Sequence, residues 1–164
     1  MVIFKNIDMR ILQIIILNII WILPINIHAQ EVDCNRINDR NGKDYIDGYD
    51  SLFTGTCVSY HDNGKLSFRG SYKDGETDGK CEWWYDNGQK MKEITYVAIN
   101  GESLANGDYY VWFKNGQLMK KESFKMGKRD GDWFQYDMQG KVIKKGNYKD
   151  GVYISGDIIE EVLF

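Results

Sequence analysis

The sequence predicts an all-β fold: a single elongated, twisted antiparallel meander of about four consecutive β-hairpin repeats, preceded by an N-terminal signal peptide helix. Three observations carry this expectation. The first is a frame of Gly, a large or sulfur-bearing residue two positions on, an aromatic five positions on and a second Gly nine positions on. It occurs at Gly55 (Cys57, Tyr60, Gly64), Gly79 (Cys81, Trp84, Gly88), Gly107 (Tyr109, Trp112, Gly116) and Gly131 (Trp133, Tyr136, Gly140). The frame starts are 24, 28 and 24 residues apart, and a period in this range marks a repeat architecture. The second is the filling between the glycines, which is rich in Val, Ile, Tyr, Trp and Phe. These residues favour strands, while glycine at this density would break any helix of ordinary length. The third is the run of turns at Asp62-Asn63-Gly64, Asp86-Asn87-Gly88, Lys114-Asn115-Gly116 and Met138-Gln139-Gly140. Asn-Gly between β-rich runs signals a hairpin, because both residues tolerate positive φ.

Taken in order, residues 1–29 form a leader. Lys5 and Arg10 precede the apolar run Ile11 to Leu23, and Ile27-His28-Ala29 follows. A basic start, a short apolar run and a small residue at the end match a secretory signal peptide, with cleavage expected after Ala29. A retained anchor is the weaker reading, since a membrane-spanning helix needs about 20 apolar residues. The mature chain is thus expected to have no permanent membrane span and to be periplasmic or extracellular in a bacterium.

Residues 30–54 have no apolar period and are acidic at their start. They read as an N-terminal cap, with Tyr45, Ile46, Tyr49, Leu52 and Phe53 available for one or two short strands. Terminal units of repeat proteins are usually atypical in this way. Residues 55–153 hold the four repeats, starting at 55, 79, 107 and 131. Each is expected to give a strand, a turn closed by Gly64, Gly88, Gly116 or Gly140, and a second strand ending near Tyr72, Tyr96, Phe124 or Tyr148. A second turn such as Lys73-Asp74-Gly75 leads into the next repeat. The second repeat carries four extra residues within 97–106, read as a longer hairpin loop or, more sharply, as a recognition loop. Residues 154–164 are β-prone and read as a capping strand, because a bare edge would invite pairing.

Strand alternation places the aromatics. Tyr60, Trp84, Trp112 and Tyr136 are expected to stack as one ladder, with Cys57, Cys81, Tyr109 and Trp133 in a row on the other face. Such aromatic rows add about 0.5–1.5 kcal/mol per pair beyond area burial. The candidate binding residues are Tyr60, Trp83, Trp84, Trp112, Trp133 and Tyr136. Lys92, Lys120, Lys121, Lys144 and Lys145 follow the second strands. They are either solvated positions that discourage edge pairing or a basic stripe for an anionic headgroup or an acidic partner.

Removing Lys5, Arg10 and Asp8 with the leader leaves 19 basic and 23 acidic side chains, a net charge of −4. Nucleic-acid binders show the opposite balance. No catalytic constellation, phosphate loop or metal-ligand spacing is present, so neither cofactor nor metal is expected. His61, the one histidine beyond the leader, reads as an exposed bystander at a turn. Three cysteines in an exported chain suggest one disulfide and one leftover thiol. Cys34–Cys57 is favoured over Cys57–Cys81, because a strand should separate the latter two.

The segments Tyr60-His61-Asp62-Asn63-Gly64-Lys65-Leu66, Tyr72-Lys73-Asp74-Gly75, Trp84-Tyr85-Asp86-Asn87-Gly88-Gln89, Trp112-Phe113-Lys114-Asn115-Gly116-Gln117-Leu118 and Gly127-Lys128-Arg129-Asp130-Gly131-Asp132-Trp133 resemble the MORN-repeat variant of bacterial antitoxin-like proteins of the YwqK type. The resemblance covers roughly residues 49–153. It implies a β-hairpin array and a non-catalytic binding role, with protein scaffolding, neutralisation of a protein toxin or contact with anionic lipid as the associated activities. The regular repeats, the aromatics and the absence of a reactive constellation point, for their part, to an unknown protein partner or envelope component as the ligand.

Overall fold

A computed structural model describes residues 31–158. The expected signal segment and residues 159–164 of the expected capping strand lie outside the described residues. Within them, no helix is long and apolar enough to cross a membrane. The strands are β1 (Glu31–Asp33), β2 (Ile37–Arg40), β3 (Lys43–Ile46), β4 (Gly55–Tyr60), β5 (Leu66–Lys73), β6 (Glu76–Trp84), β7 (Lys90–Ile99), β8 (Glu102–Trp112), β9 (Leu118–Lys125), β10 (Lys128–Arg129), β11 (Gly131–Tyr136), β12 (Val142–Lys149) and β13 (Val152–Ile158). One 3₁₀ turn, Cys34–Arg36, separates β1 from β2.

The repeats form one sheet in the order β1-β4-β5-β6-β7-β8-β9-β11-β12-β13, with the two-residue β10 on β9. From β4 to β13 every pairing is antiparallel. This is the meander expected of consecutive hairpins. The exception is β1, which covers the first edge in parallel, with Val32 opposite Cys57. The β2–β3 hairpin packs on one face at that end, and the core sits beneath it. Val32, Phe53 and Cys57 are buried there, with Cys34, Ile37, Ile46, Phe68 and Tyr72 packed around them.

Two kinds of turn alternate along the sheet. The turns between repeats are two-residue turns with both residues left-handed: Asp74-Gly75, Asn100-Gly101, Met126-Gly127 and Asp150-Gly151. This is the hairpin type whose twist matches its strands. Each of Thr54, Asn106 and Asp130, the residue before a frame Gly, accepts a hydrogen bond from the backbone N–H of the residue 20 positions on, at 2.9, 3.2 and 3.2 Å. Asp78 does the same for Ala98 at 3.3 Å.

The turns within repeats differ from expectation. Of the Asn-Gly pairs there, only the glycine is left-handed: Gly64, Gly88 and Gly116 have φ of +79°, +90° and +88°. Each Asn instead uses both ends of its side chain. Its Oδ1 accepts from the N–H two residues on. Its Nδ2 donates to a turn carbonyl of the next repeat: Asn63 to Asp86 at 2.7 Å, Asn87 to Lys114 at 2.8 Å and Asn115 to Met138 at 3.4 Å. These turns are therefore stitched into a ladder along one end of the strands. It stops at the fourth turn, where Gln139 replaces Asn.

The four extra residues of the second repeat do not make a long loop. Strands β7 and β8 run to Ile99 and from Glu102, paired up to a tight Asn100-Gly101 turn. The expected loop is a correction: its central Asn-Gly closes a two-residue turn, so the added residues lengthen two strands. The lengthened hairpin lies beside β3. Lys43 Nζ is bonded to Glu76, which is 8% exposed. Together with Asp78 and Gly101 these residues line a polar cleft of about 270 Å³.

Candidate functional site

The sheet offers two faces. The cap face carries Cys57 and the β2–β3 hairpin; the far face carries the alternate residues. Register places Cys57, Gly70, Cys81, Ile94 and Tyr109 in one row on the cap face. A parallel row holds Phe68, Trp83, Lys92, Val111, Lys120, Gln135 and Lys144. Tyr60, Trp84, Trp112 and Tyr136 lie on the far face. They are opposite Leu66, Lys90, Leu118 and Val142, each at a register shift that ends its hairpin ladder.

The expected aromatic ladder does not form. Equivalent residues of successive repeats are two strands apart, about 9.5 Å, and a second-strand residue stands between them. The close ring pairs are local instead. Tyr110 stacks on Trp112 with centroids 5.5 Å apart, and Phe134 lies 6.3 Å from Tyr136. Between Trp84 and Trp112 stands Lys90, its Nζ 5.9 and 5.7 Å from the two ring centroids. The same Nζ is 2.6 Å from carboxylate oxygens of both Glu82 and Glu93. Burial would push the Lys90 pKa down, but these two bonds raise it overall. Burial works to raise Glu93, and the bonds from Lys90 and Lys80 bring it below the usual carboxylate range. The centre of the far face is thus a charged knot between two indoles. Beside it, the hydroxyls of Ser123 and Tyr110 donate to Asp108 at 2.6 and 2.7 Å and lower its pKa. Tyr60, 59% exposed, stands at the end of the face near the first repeat.

Trp83 and Trp133 project from the cap face. The Trp83 ring lies 5.0 Å from that of Phe68, with Lys92 Nζ 3.8 Å above it. Trp133 packs over Gly146, and its Nε1 is buried without a hydrogen-bond partner among the described residues. Cys34 and Cys57 are joined as a disulfide, and Cys81 is a free, buried thiol whose pKa burial pushes up. Gly64, Gly88, Gly116 and Gly140 take the left-handed turn positions.

Other expectations change. His61 is half-buried rather than a bystander, and its Nε2 lies 2.8 Å from the Trp84 carbonyl, to which it donates. Tyr85, at the equivalent position, donates to the Trp112 carbonyl at 2.8 Å. The five lysines are not one stripe. Adjacent strand residues point to opposite faces, so Lys92, Lys120 and Lys144 fall on the cap face and Lys121 and Lys145 on the far face. Glu122 was missed. It is 4% exposed on the cap face and held by Lys120 at 3.0 Å and Arg129 at 3.3 Å. Its spacing was a usable signal: it stands 15 residues after its frame Gly, where the other repeats carry Gly70, Ile94 and Gly146. Among the described residues, no group of three or more His, Cys, Asp and Glu is placed to hold a metal.

A family model described as MORN repeat variant matches residues 53–74, 77–98, 105–126 and 129–150. No curated protein matches the chain. Two solved structures are similar to parts of it. One is the crystal structure of accessory secretory protein 1, 2 and 3 in Streptococcus pneumoniae, at 13% identity and a TM-score of 0.34, covering 63% of this chain and 18% of that one. The other is the glycosylation associate protein (Gap123) complex from Streptococcus agalactiae, at 14% identity and a TM-score of 0.32, covering 78% of this chain and 21% of that one. The chain thus spans about a fifth of the length of each.

Proposed function

Since the chain belongs to the MORN repeat variant family, we propose that it is an exported, non-catalytic binding module whose far face engages a protein or another component of the cell envelope. The observation that carries the reading is the composition of that face. Trp84, Tyr110, Trp112, Phe134 and Tyr136, with Leu118 and Val142 beside them, make an aromatic and aliphatic surface turned away from the β2–β3 hairpin. Buried Trp and Tyr anchors are where interface binding energy concentrates. The charges there are already paired among themselves, by Lys90 with Glu82 and Glu93, so a partner need not strip an isolated ion of water. Export is supported by the leader and by the Cys34–Cys57 bond, since disulfides persist in oxidising compartments.

Capture of partners from an envelope extract of the producing cell tests the reading. Trp84→Ala/Trp112→Ala, checked by circular dichroism to be folded, is expected to bind a captured partner at least about tenfold more weakly than the unaltered chain. Undiminished binding by that folded variant would remove the far face from the function. Mature protein purified from the same cell is expected to begin at Gln30. A chain that begins at Met1 in the cytosolic fraction would refute export.

A further inference from the structure

We propose that the cap face holds a second docking surface, independent of the far face, for an acidic segment of a partner protein in polyproline II conformation with a carboxylate at every third residue. The starting point is the row that register fixes across six strands. Trp83 is opposite Lys92, Lys92 opposite Val111, Val111 opposite Lys120, Lys120 opposite Gln135, and Gln135 opposite Lys144. Lysine positions therefore recur at every second strand of the row, with uncharged residues between them.

Charge separates the two faces. In this row and its neighbour on the cap face, from Cys57 to Gly146, the charged residues are Lys92, Lys120, Lys144 and Glu122. Arg129 adds a further cation, and Glu122 is shared between Lys120 and Arg129. The central row of the far face sets Arg69, Lys121 and Lys145 against Asp33, Glu82, Glu93 and Asp157. The two cap-face rows therefore carry a net positive charge in a chain of formal net charge −3, while the acidic groups Asp39, Asp44, Asp47 and Glu76 on the same face sit on or against the β2–β3 hairpin at the β4 end of the sheet. The complement of that surface is an anionic ligand.

Spacing selects the kind of ligand. Two strands apart is about 9.5 Å. A polyproline II helix repeats every three residues at about 3.1 Å each, or about 9.3 Å per turn. A segment with Asp or Glu at every third position would bring one carboxylate to each of the three lysines. The surroundings suit that conformation, whose recognition uses aromatic-lined surfaces. Trp83 lies under Lys92, the Tyr109 ring is 5.9 Å from Lys120 Nζ, and Trp133 lies in the adjacent row. Lys92 and Lys120 are also held in place, by Trp83 and Glu122, which reduces the ordering lost on binding. A lipid bilayer fits less well. The β2–β3 hairpin stands on this same face, so a planar membrane would meet the hairpin before it met the half-buried lysines.

Fluorescence anisotropy with the full mature chain tests this. The probes are labelled peptides of repeating Glu-Pro-Pro and of repeating Glu-Pro-Pro-Pro with equal numbers of Glu. The first is expected to bind about tenfold more tightly, the scale of three exposed ion pairs. Lys92→Gln/Lys144→Gln is expected to remove that advantage, and Lys121→Gln/Lys145→Gln, with the same charge change on the far face, to keep it. Equal affinity for the two peptides, or equal loss in both variants, overturns the proposal, and the peptide comparison on the unaltered chain does not depend on how any variant folds. Binding to phosphatidylglycerol vesicles that Lys92→Gln/Lys144→Gln abolishes, without any binding of either peptide, would assign the row to lipid instead.

Discussion

Replacing Cys34 with serine is expected to lower the free energy of unfolding by about 3 kcal/mol, the chain-entropy value for a loop of this length. The bond joins residues 23 apart in sequence and ties the cap to β4. Without it, the cap keeps little that is covalent or extensive. The β1 strand contributes three residues in parallel register, and the β2–β3 hairpin contacts the array through Ile37, Ile46, the Lys43–Glu76 ion pair and a few backbone bonds, such as Asp44 N–H to the Gly75 carbonyl at 2.9 Å. Yet this is the best-buried part of the molecule, with Cys57 1% and Phe53 2% exposed. Among the described residues, losing the cap would open the place where the sheet has a second layer. Urea unfolding of the oxidised chain, the reduced chain and Cys34→Ser should give a high midpoint for the first and lower, similar midpoints for the other two. A difference below about 1 kcal/mol would mean that packing alone holds the cap. Cys81 should not rescue the bond by exchange. Gly70 of β5 lies between Cys57 and Cys81 in their row, a separation of about 9.5 Å that no disulfide spans.

What was legible in the sequence follows from which forces act locally. The meander was legible because the frame glycines and the turn residues act on the backbone within a few positions of themselves. The frame Gly at 79, 107 and 131 takes φ between +109° and +116°, at irregularities opposite Ser71, Thr95 and Ser123 that few other residues could adopt. The length of β7 and β8 is not visible in the count of inserted residues, because Asn100-Gly101 is itself a complete turn and the other added residues pair on either side of it. The aromatic ladder failed for a reason of topology. A repeat that contributes two strands sets its equivalents two strands apart, so Trp84 and Trp112 meet Lys90 and not each other. The division of charge between faces was hidden because Lys120-Lys121 and Lys144-Lys145 read as doubled positive charge along the chain, whereas the pleat sends one of each pair to either side. The role of His61 is not legible locally, because its partner, the Trp84 carbonyl, is 23 residues away.

The other large effect is expected at a residue with no side chain. Gly146 lies in the cap-face row next to Trp133. A Cβ placed there would come 2.3 Å from Trp133 Nε1 and 2.8 Å from the Ser155 carbonyl oxygen. Neither approach is tolerable. The indole can lift, but it would then leave the floor on which it packs, while the carbonyl belongs to the β12–β13 pairing and cannot swing away without disturbing the last strand. Overpacking of this kind typically destabilises by about 1–3 kcal/mol. Gly146→Ala is therefore expected to lower the urea midpoint by that amount and to increase the solvent exposure of a tryptophan, read as a red shift in emission. Trp133→Phe separates the two clashes. It removes the buried indole N–H that has no partner and frees the space above Gly146, so alone it should be close to neutral, the lost ring area offsetting the relieved donor. In Gly146→Ala/Trp133→Phe the indole clash is gone and only the Ser155 carbonyl contact remains. If the double variant recovers most of the lost stability, the close approach of Trp133 is what requires glycine. If it is as unstable as Gly146→Ala alone, the requirement comes from the neighbouring strand, and every residue other than glycine at 146 should weaken the β12–β13 edge whatever stands at 133.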